Sequence, residues 1–140
     1  MNNCIFCKII KGEISSHKVY EDRHTLAFLD IMPTNPGHTL VVPKKHFSSL
    51  EEVDEETLCQ MIKTVKKVGK ALKSGLEAEG YNVMENNDAV AGQIIPHLHF
   101  HIIPRKKGDG LALWAQKKYT DGEEAEKISE KIKNVLQKIN

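Results

Sequence analysis

The chain of 140 residues carries a formal net charge of +1, with 40% hydrophobic and 28% charged residues. This size and composition predict one globular domain that can bury a core without disulfide bonds. The near-zero net charge argues against a dedicated nucleic-acid partner. No apolar run approaches the ~18 residues of a membrane-spanning helix, and the N-terminus does not resemble a signal peptide. We therefore expect a cytoplasmic protein with no membrane association.

The first third of the chain predicts a short helical turn followed by three strands. The turn covers residues 4–12 and ends at Gly12. The strands are Lys18–Glu21, Thr25–Leu29 and Thr39–Pro43, each rich in β-branched, aromatic or aliphatic residues. Because the connections between them are short, we expect an antiparallel meander.

A long amphipathic helix is predicted from about Asp54 to Ser74, because apolar residues recur at steps of three and four. Asp54 suits the N-cap, and Gly75 suits the helix end. Cys59 lies off the centre of the apolar stripe, and we expect it to be a packed thiol without chemistry. The stripe consists of Leu58, Met61, Ile62, Val65, Val68 and Leu72.

The second half of the chain predicts another strand, Tyr81–Glu85, which leads into a polar loop, residues 86–93. Such a loop can present backbone N–H groups to an anion. The segment Thr120–Glu123 is typical of a capping box that opens a C-terminal helix. The apolar stripe of that helix consists of Ala125, Ile128, Ile132, Val135, Leu136 and Ile139.

Three of the seven histidines alternate with apolar residues in the segment 96–104. In a β-strand, His97, His99 and His101 would share one face, with neighbours ~6.6–6.8 Å apart. The apolar face can pack into a core while the imidazoles line a cleft. A neutral imidazole can attack, accept a proton or bind a metal. The pattern by itself leaves a solvated face, a metal site and a nucleophilic histidine open.

The segment His97–Ile103 resembles the signature of the histidine triad (HIT) family of nucleotide hydrolases and transferases. That signature is His-φ-His-φ-His-φ-φ, where φ is an apolar residue, and the segment matches it at every position. In that family the middle histidine is the nucleophile. The resemblance therefore implies that His99 forms a covalent nucleotidyl-histidine and that His101 hydrogen-bonds the phosphate oxygens.

The resemblance also implies a nucleotide-binding set within residues 4–105. Asp30 matches the acidic residue that binds the ribose hydroxyls. Some close relatives carry a serine near the leaving group, where this chain carries Ile94, which cannot donate a proton. The remaining implied residues are Phe6, Ile9 and Phe28 at the base, and Asn86, Gly92 and Gln93 at the phosphate.

Cys4 and Cys7 form a C-x-x-C pair, which is half of a common zinc site. The resemblance implies that His46 and His97 are the other two ligands. Two thiolates and two imidazoles close a tetrahedral shell, so this Zn²⁺ would be structural. The alternative is a catalytic zinc held by the three histidines of the segment 96–104, although the outer two Cα atoms would be roughly 13 Å apart.

Together these features predict an α+β, HIT-like fold with an antiparallel sheet of about five strands, a long packed helix and a C-terminal helix. We expect one domain over residues 1–140, with a core at 4–105 and an extension at 106–140. The resemblance implies a homodimer whose two sheets join.

The implied function is a nucleotide hydrolase or nucleotidyltransferase that acts on a purine nucleotide. It would cleave at the α-phosphate of a nucleoside monophosphate derivative, an adenosine phosphoramidate, through nucleotidyl-His99. The alternatives are a dinucleoside polyphosphate hydrolase, a nucleotide-binding regulatory module with little turnover, and a zinc hydrolase that uses a metal-bound water.

Overall fold

The computed structural model describes residues 3–139. Its regular elements include three α-helices, five strands and one 3₁₀ turn at Ala89–Ala91 within that range. None of the helices in the described range combines the length and the hydrophobicity needed to cross a membrane. The helices and strands in chain order are α1 (Ile5–Lys11), β1 (Lys18–Glu21), β2 (Thr25–Leu29), β3 (Thr39–Pro43), α2 (Glu55–Gly75), β4 (Gly80–Glu85), β5 (Phe100–Arg105) and α3 (Gly122–Leu136).

The five strands of the described range form one antiparallel sheet in the order β1-β2-β3-β5-β4. The first three strands form the expected meander, and β5 inserts between β3 and β4. The predicted α+β class, with a five-stranded antiparallel sheet and one long helix, is confirmed.

The sheet separates two apolar clusters because successive side chains of β2 and β3 point to opposite faces. Every residue of β3 is buried, and so are the first four residues of β2. On one face Ala27 and Val41 pack in the cluster that contains the buried residues of α2. On the other face Phe28 and Leu40 pack with Phe6 of α1.

Helix α2 begins after Asp54, whose carboxylate accepts a hydrogen bond from the Thr57 N–H at 2.8 Å. This is the expected N-cap. The helix buries most of its predicted stripe, but Ile62 is 47% exposed. The expectation that Cys59 is a packed thiol is wrong, because Cys59 is exposed. Residues two positions apart in a helix do not share a face, so Cys59 faces solvent while Met61 is buried.

Gly69 sits where α2 meets β4, and a side chain there would collide with Tyr81. A Cβ built on Gly69 lies 2.4 Å from Tyr81 Cζ. We expect Gly69→Ala to destabilise the protein by ~1–3 kcal/mol, because an overpacked interface must shift. Gly75→Ala is the matched control, because its Cβ meets no atom of residues 3–139 within 4 Å. Thermal unfolding followed by circular dichroism compares the two variants, and an equal midpoint for both would contradict the prediction.

The chain divides into two compact units, Met1–Asp109 and Gly110–Asn140. In the second unit, α3 begins after Asp121, whose side chain accepts from the Glu124 N–H at 2.8 Å. The cap therefore lies one residue later than predicted, because Asp121 rather than Thr120 takes the N-cap position. The predicted stripe forms but lies largely exposed: Ile128 at 38%, Ile132 at 54%, Val135 at 56%, Leu136 at 60% and Ile139 at 66%.

Candidate active site

The strand β5 begins only at Phe100, so His97 and His99 precede it, and His97 lies in a bend that covers residues 95–97. The histidines and the apolar residues nevertheless point to opposite sides of the sheet, as predicted. The rings of His97 and His99 both contact Phe6, at centroid distances of 5.8 and 5.2 Å. The alternating apolar residues pack in the cluster with α2, namely Leu98, Phe100 and Ile102.

Four predicted zinc ligands converge near the N-terminus of α1. Nδ1 of His97 lies 3.4 Å from Cys4 Sγ and 3.6 Å from Cys7 Sγ. Nδ1 of His46 lies 3.4 Å from Cys7 Sγ and 3.2 Å from His97 Nδ1. A tetrahedral Zn²⁺, with bonds of ~2.3 Å to sulfur and ~2.0 Å to nitrogen, separates two nitrogen ligands by roughly 3.3 Å and a nitrogen from a sulfur by roughly 3.5 Å. The donor set and its spacing therefore fit zinc.

The ring of His97 is oriented for this cluster by the main chain. Its Nε2–H donates to the Pro43 carbonyl at 3.0 Å, so the lone pair of the neutral ring lies on Nδ1, which faces the cysteines. Burial lowers the pKa of His97 to about 4, which keeps the ring neutral at pH 7. Both nitrogens are thus engaged away from His99 and His101, which disfavours a zinc shared by the three histidines.

His99 has the geometry of a nucleophile. Its Nδ1–H donates to the His97 carbonyl at 2.7 Å, which places the lone pair of the neutral ring on Nε2. Burial lowers the pKa of His99, so the neutral form is favoured at pH 7. The residue is only 6% exposed, less than an open cleft predicts. Attack by this ring requires access to Nε2, because the His97 carbonyl occupies Nδ1.

A fourth histidine, His38, completes the group. The Thr34 N–H donates to His38 Nδ1 at 3.1 Å, so the neutral ring carries its proton on Nε2. That Nε2–H lies 2.9 Å from His101 Nδ1, which therefore accepts, and the proton of His101 is placed on Nε2. Burial lowers the pKa of His38 and lowers that of His101 to about 4. His101 is thus a neutral ring with an N–H to offer.

Asp30 is close to this pair. Its Oδ2 lies 3.8 Å from His38 Nε2, and its Oδ1 accepts from the Met32 N–H at 2.8 Å. Asp30, His38 and His101 hold ligand atoms within 4.8 Å of one another, as a metal site requires. However, the Thr34 N–H occupies His38 Nδ1 and so keeps a proton on Nε2. A metal ion at His38 Nε2 would require the ring proton to move to Nδ1, where it would break the hydrogen bond from Thr34. Asp30, His38 and His101 are therefore better suited to hydrogen bonding than to metal binding.

The loop 86–93 follows Glu85, which pairs with Phe100, the residue after His99. The register of β4 with β5 pairs Met84 with His101, and continuing it places Asn86 opposite His99 on the same face. Gly92 adopts a φ of +98°, and a Cβ there would lie 3.6 Å from Asn86 Nδ2. The loop therefore brings Asn86 and Gly92 together near the proposed nucleophile.

The expectation that this loop offers its backbone N–H groups to an anion is wrong for three of them. Those of Ala91, Gly92 and Gln93 donate to carbonyls within the loop, because the loop closes in a 3₁₀ turn. The side chain of Gln93 is also engaged: its Nε2 donates to the Ser48 carbonyl at 2.6 Å, and its Oε1 accepts from the Asp88 N–H at 3.0 Å.

The family model described as HIT domain matches residues 11–108. The chain belongs to the HIT family. The match spans well over half of the chain and includes the three histidines of the segment 96–104, His38 and the loop 86–93.

Known proteins resemble this HIT protein over almost its whole length. Adenosine 5'-monophosphoramidase HNT1 of Candida albicans is 42% identical over 143 residues, which cover 99% of this chain and 94% of that protein. The structure of a HIT family member from Bacillus subtilis is 45% identical, with a TM-score of 0.86 over 94% of this chain and 96% of its own. A zinc-bound histidine triad family protein from Mycobacterium smegmatis is 33% identical, with a TM-score of 0.76 over 98% and 97% of the two chains.

The predicted base-pocket residues of this HIT protein share one cluster beside His99. The rings of Phe6 and Phe28 meet edge to face at 5.5 Å, and Ile9 packs with them. All three are buried, at 7%, 3% and 6% exposure. They form the apolar wall against which the His99 ring packs.

Sequence reasoning missed His38, although it lies in a recognisable place. It directly precedes β3 and is in phase with Leu40, which pairs with His101. The side-chain period of two therefore places His38 on the His101 face once the strand order is known. The sequence supplies the period, but it does not reveal that β3 and β5 are neighbours.

Proposed function

We propose that this HIT protein hydrolyses a nucleoside monophosphate derivative, an adenosine phosphoramidate, through a covalent nucleotidyl-His99 intermediate. One observation carries the proposal: the His97 carbonyl holds the proton of His99 on Nδ1 and leaves a neutral lone pair on Nε2. The name of the Candida albicans relative, an adenosine 5'-monophosphoramidase, supports the same reaction.

In the first step the Nε2 lone pair of His99 attacks the α-phosphorus, and the bond from phosphorus to the departing amine breaks. The ring gains positive charge as the new P–N bond forms, and the Nδ1–H to the His97 carbonyl stabilises it. The Nε2–H of His101 would donate to a phosphate oxygen as its charge develops. The departing amine takes up a proton from water, because Ile94 has none to give.

In the second step a water molecule attacks the same phosphorus and the P–Nε2 bond breaks. The attacking water releases one proton to solvent, which balances the proton that the amine takes up in the first step. The products are free AMP and a regenerated neutral His99. Splitting the displacement into two steps lowers each barrier, because the intermediate carries a labile P–N bond.

The residues around the histidines support one orientation of the nucleotide. We infer that Phe6, Ile9 and Phe28 contact the base, since they form an apolar wall beside His99. Asp30 is inferred to accept from the ribose hydroxyls, because its half-buried carboxylate lies beside the His38–His101 pair. The proposed donors to the phosphate, next to Gly92, are the side-chain amide of Asn86 and the second N–H of Gln93 Nε2, whose other N–H donates to the Ser48 carbonyl.

We also propose a structural Zn²⁺ bound by Cys4, Cys7, His46 and His97. The ligand spacing and the orientation of His97 support it, as does the zinc-bound relative from Mycobacterium smegmatis. When bound, the ion would link the N-terminal helix to the histidine segment. It would perform no chemical step, because four protein ligands leave no open position.

A homodimer in the cytoplasm is the assembly and location we infer. β4 lies at the edge of the sheet, where its outer N–H and C=O groups can pair with another strand, and Val83 on it is 43% exposed.

The inferred location rests on the cysteines. Cys4, Cys7 and Cys59 form no disulfide bond within the described residues, which suits a reducing compartment.

Trapping of the intermediate tests the reaction. The protein is incubated with an adenosine phosphoramidate, quenched in alkaline denaturant because P–N bonds are labile in acid, and digested for mass spectrometry. We expect the mass of one AMP on the peptide that contains His99. Turnover without this adduct, or an adduct elsewhere, would contradict the mechanism. AMP binding without turnover would favour a regulatory module, and faster cleavage of dinucleoside polyphosphates would favour that alternative substrate.

A further inference from the structure

A chain of side-chain hydrogen bonds connects the end of β4 to the segment before α2. Glu85 Oε2 accepts a hydrogen bond from Asn87 Nδ2. Asn87 Oδ1 in turn accepts from the Leu50 N–H at 2.8 Å. The amide of Asn87 is therefore engaged on both sides, and it joins two segments that are 37 residues apart in the sequence.

A second bond joins the same two segments, where Gln93 Nε2 donates to the Ser48 carbonyl at 2.6 Å. The loop 86–93 is therefore tied near both of its ends to residues 48–50. Those residues directly follow Phe47, whose carbonyl accepts from the Leu98 N–H at 2.7 Å. The segment that holds the loop thus also holds the main chain between the first two histidines of the triad.

The alternation of side chains at the end of β4 gives this connection a consequence for His99. Glu85 pairs with Phe100 and lies on the α2 face of the sheet, whereas Asn86 continues the register on the His99 face. The bond from Asn87 back to Glu85 bridges over Asn86. A backbone held in this way keeps the Asn86 side chain directed to the His99 face.

The carboxylate of Glu85 accepts one hydrogen bond, and its burial carries a desolvation cost. Its Oε1 is buried and has no hydrogen-bond partner within the described residues. Burial raises the pKa of Glu85, which reflects the cost of removing this charge from water. A buried polar atom without a partner is rare in proteins and calls for an explanation beyond packing.

We propose that Glu85 and Asn87 are positioning residues for the proposed hydrolysis, which hold Asn86 and the loop 86–93 at the phosphate beside His99. The proposal rests on the proposed function. Neither residue touches the reacting atoms; they act through Asn86 and Gln93. The substrate group that depends on them is the α-phosphate, not the base or the ribose.

The test measures kcat and KM for an adenosine phosphoramidate in four variants: Glu85→Ala, Asn87→Ala, the double variant and Glu85→Gln. We expect either alanine variant to lower kcat by ~10- to 100-fold, because small displacements in a reacting pair have effects of this size. KM should change far less than kcat. The double variant should be no slower than Asn87→Ala, because both residues act through one contact. Glu85→Gln should restore turnover, since its amide oxygen still accepts from Asn87.

Glu13→Ala, an exposed acidic residue after α1, is the matched control and should behave like the wild type. Circular dichroism melting shows whether each variant is folded at the assay temperature. A folded Asn87→Ala protein with unchanged kcat would overturn the proposal, as would additive effects in the double variant or no recovery in Glu85→Gln. Those outcomes leave the His99 mechanism intact. A wild type without turnover would overturn both.

Discussion

Replacing His99 with alanine should reduce turnover of an adenosine phosphoramidate by a factor on the order of 10³ or more, the size of loss that removal of a covalent nucleophile produces. No neighbouring ring can take its place. Both nitrogens of His97 are engaged, and Nδ1 of His101 accepts from His38. Steady-state kinetics measure the loss of turnover, and AMP affinity should persist because the proposed contacts to the base and the ribose remain.

The matched control is His17→Ala, an exposed histidine in the connection before β1. It should retain wild-type turnover. Because His99 is buried, its variant must first be shown to be folded by its thermal midpoint. A folded His99→Ala protein with wild-type kcat would remove the covalent mechanism from consideration.

Removal of one zinc ligand should lower the free energy of unfolding by more than about 4 kcal/mol, the range of metal loss and similar severe changes. In Cys7→Ala three ligands remain, and the shell of the proposed ion is incomplete. The Cys7 sulfur lies 3.4 Å from His46 Nδ1 and 3.6 Å from His97 Nδ1, so its loss removes a contact between α1 and each of these two segments. Because the four ligands form one cluster, we expect metal analysis to find one zinc per wild-type chain and far less in the variant.

Cys59→Ala provides the control, because Cys59 is exposed and lies outside the cluster. Its zinc content and thermal midpoint should equal those of the wild type. Chelation of the wild type should reduce turnover and stability together, since the proposed ion holds structure. Loss of turnover by a chelated protein that stays fully folded would instead support a catalytic zinc.

Local sequence patterns were sufficient for most of the sheet and for α2. Strands β1, β2 and β3 begin and end at the predicted residues, because turn-forming residues bound short apolar runs. Asp54 caps α2 as expected, since an N-cap depends only on neighbouring residues. Periodicity did not identify the environment of Cys59 or the late start of β5.

The late start of β5 has a tertiary cause. β3 pairs with β5 only as far as Val41 opposite Phe100. Beyond it, Pro43 has no N–H to donate, and its carbonyl accepts from the His97 ring instead of pairing with β5. The Leu98 N–H likewise donates to Phe47 outside the sheet. Side-chain and loop contacts therefore replace the ladder at two of the three histidines.

The sequence by itself determined the family of this protein, the order of most of its elements and the types of residue at its site. A periodic pattern and a short signature are local properties, so neighbouring residues suffice to read them. Only the tertiary structure decided that His38 joins His101, that the loop amides are already bonded and that Glu85 and Asn87 tie two segments together. These facts depend on which strands are neighbours and on which atom carries each proton, and both follow from contacts between residues far apart in the chain.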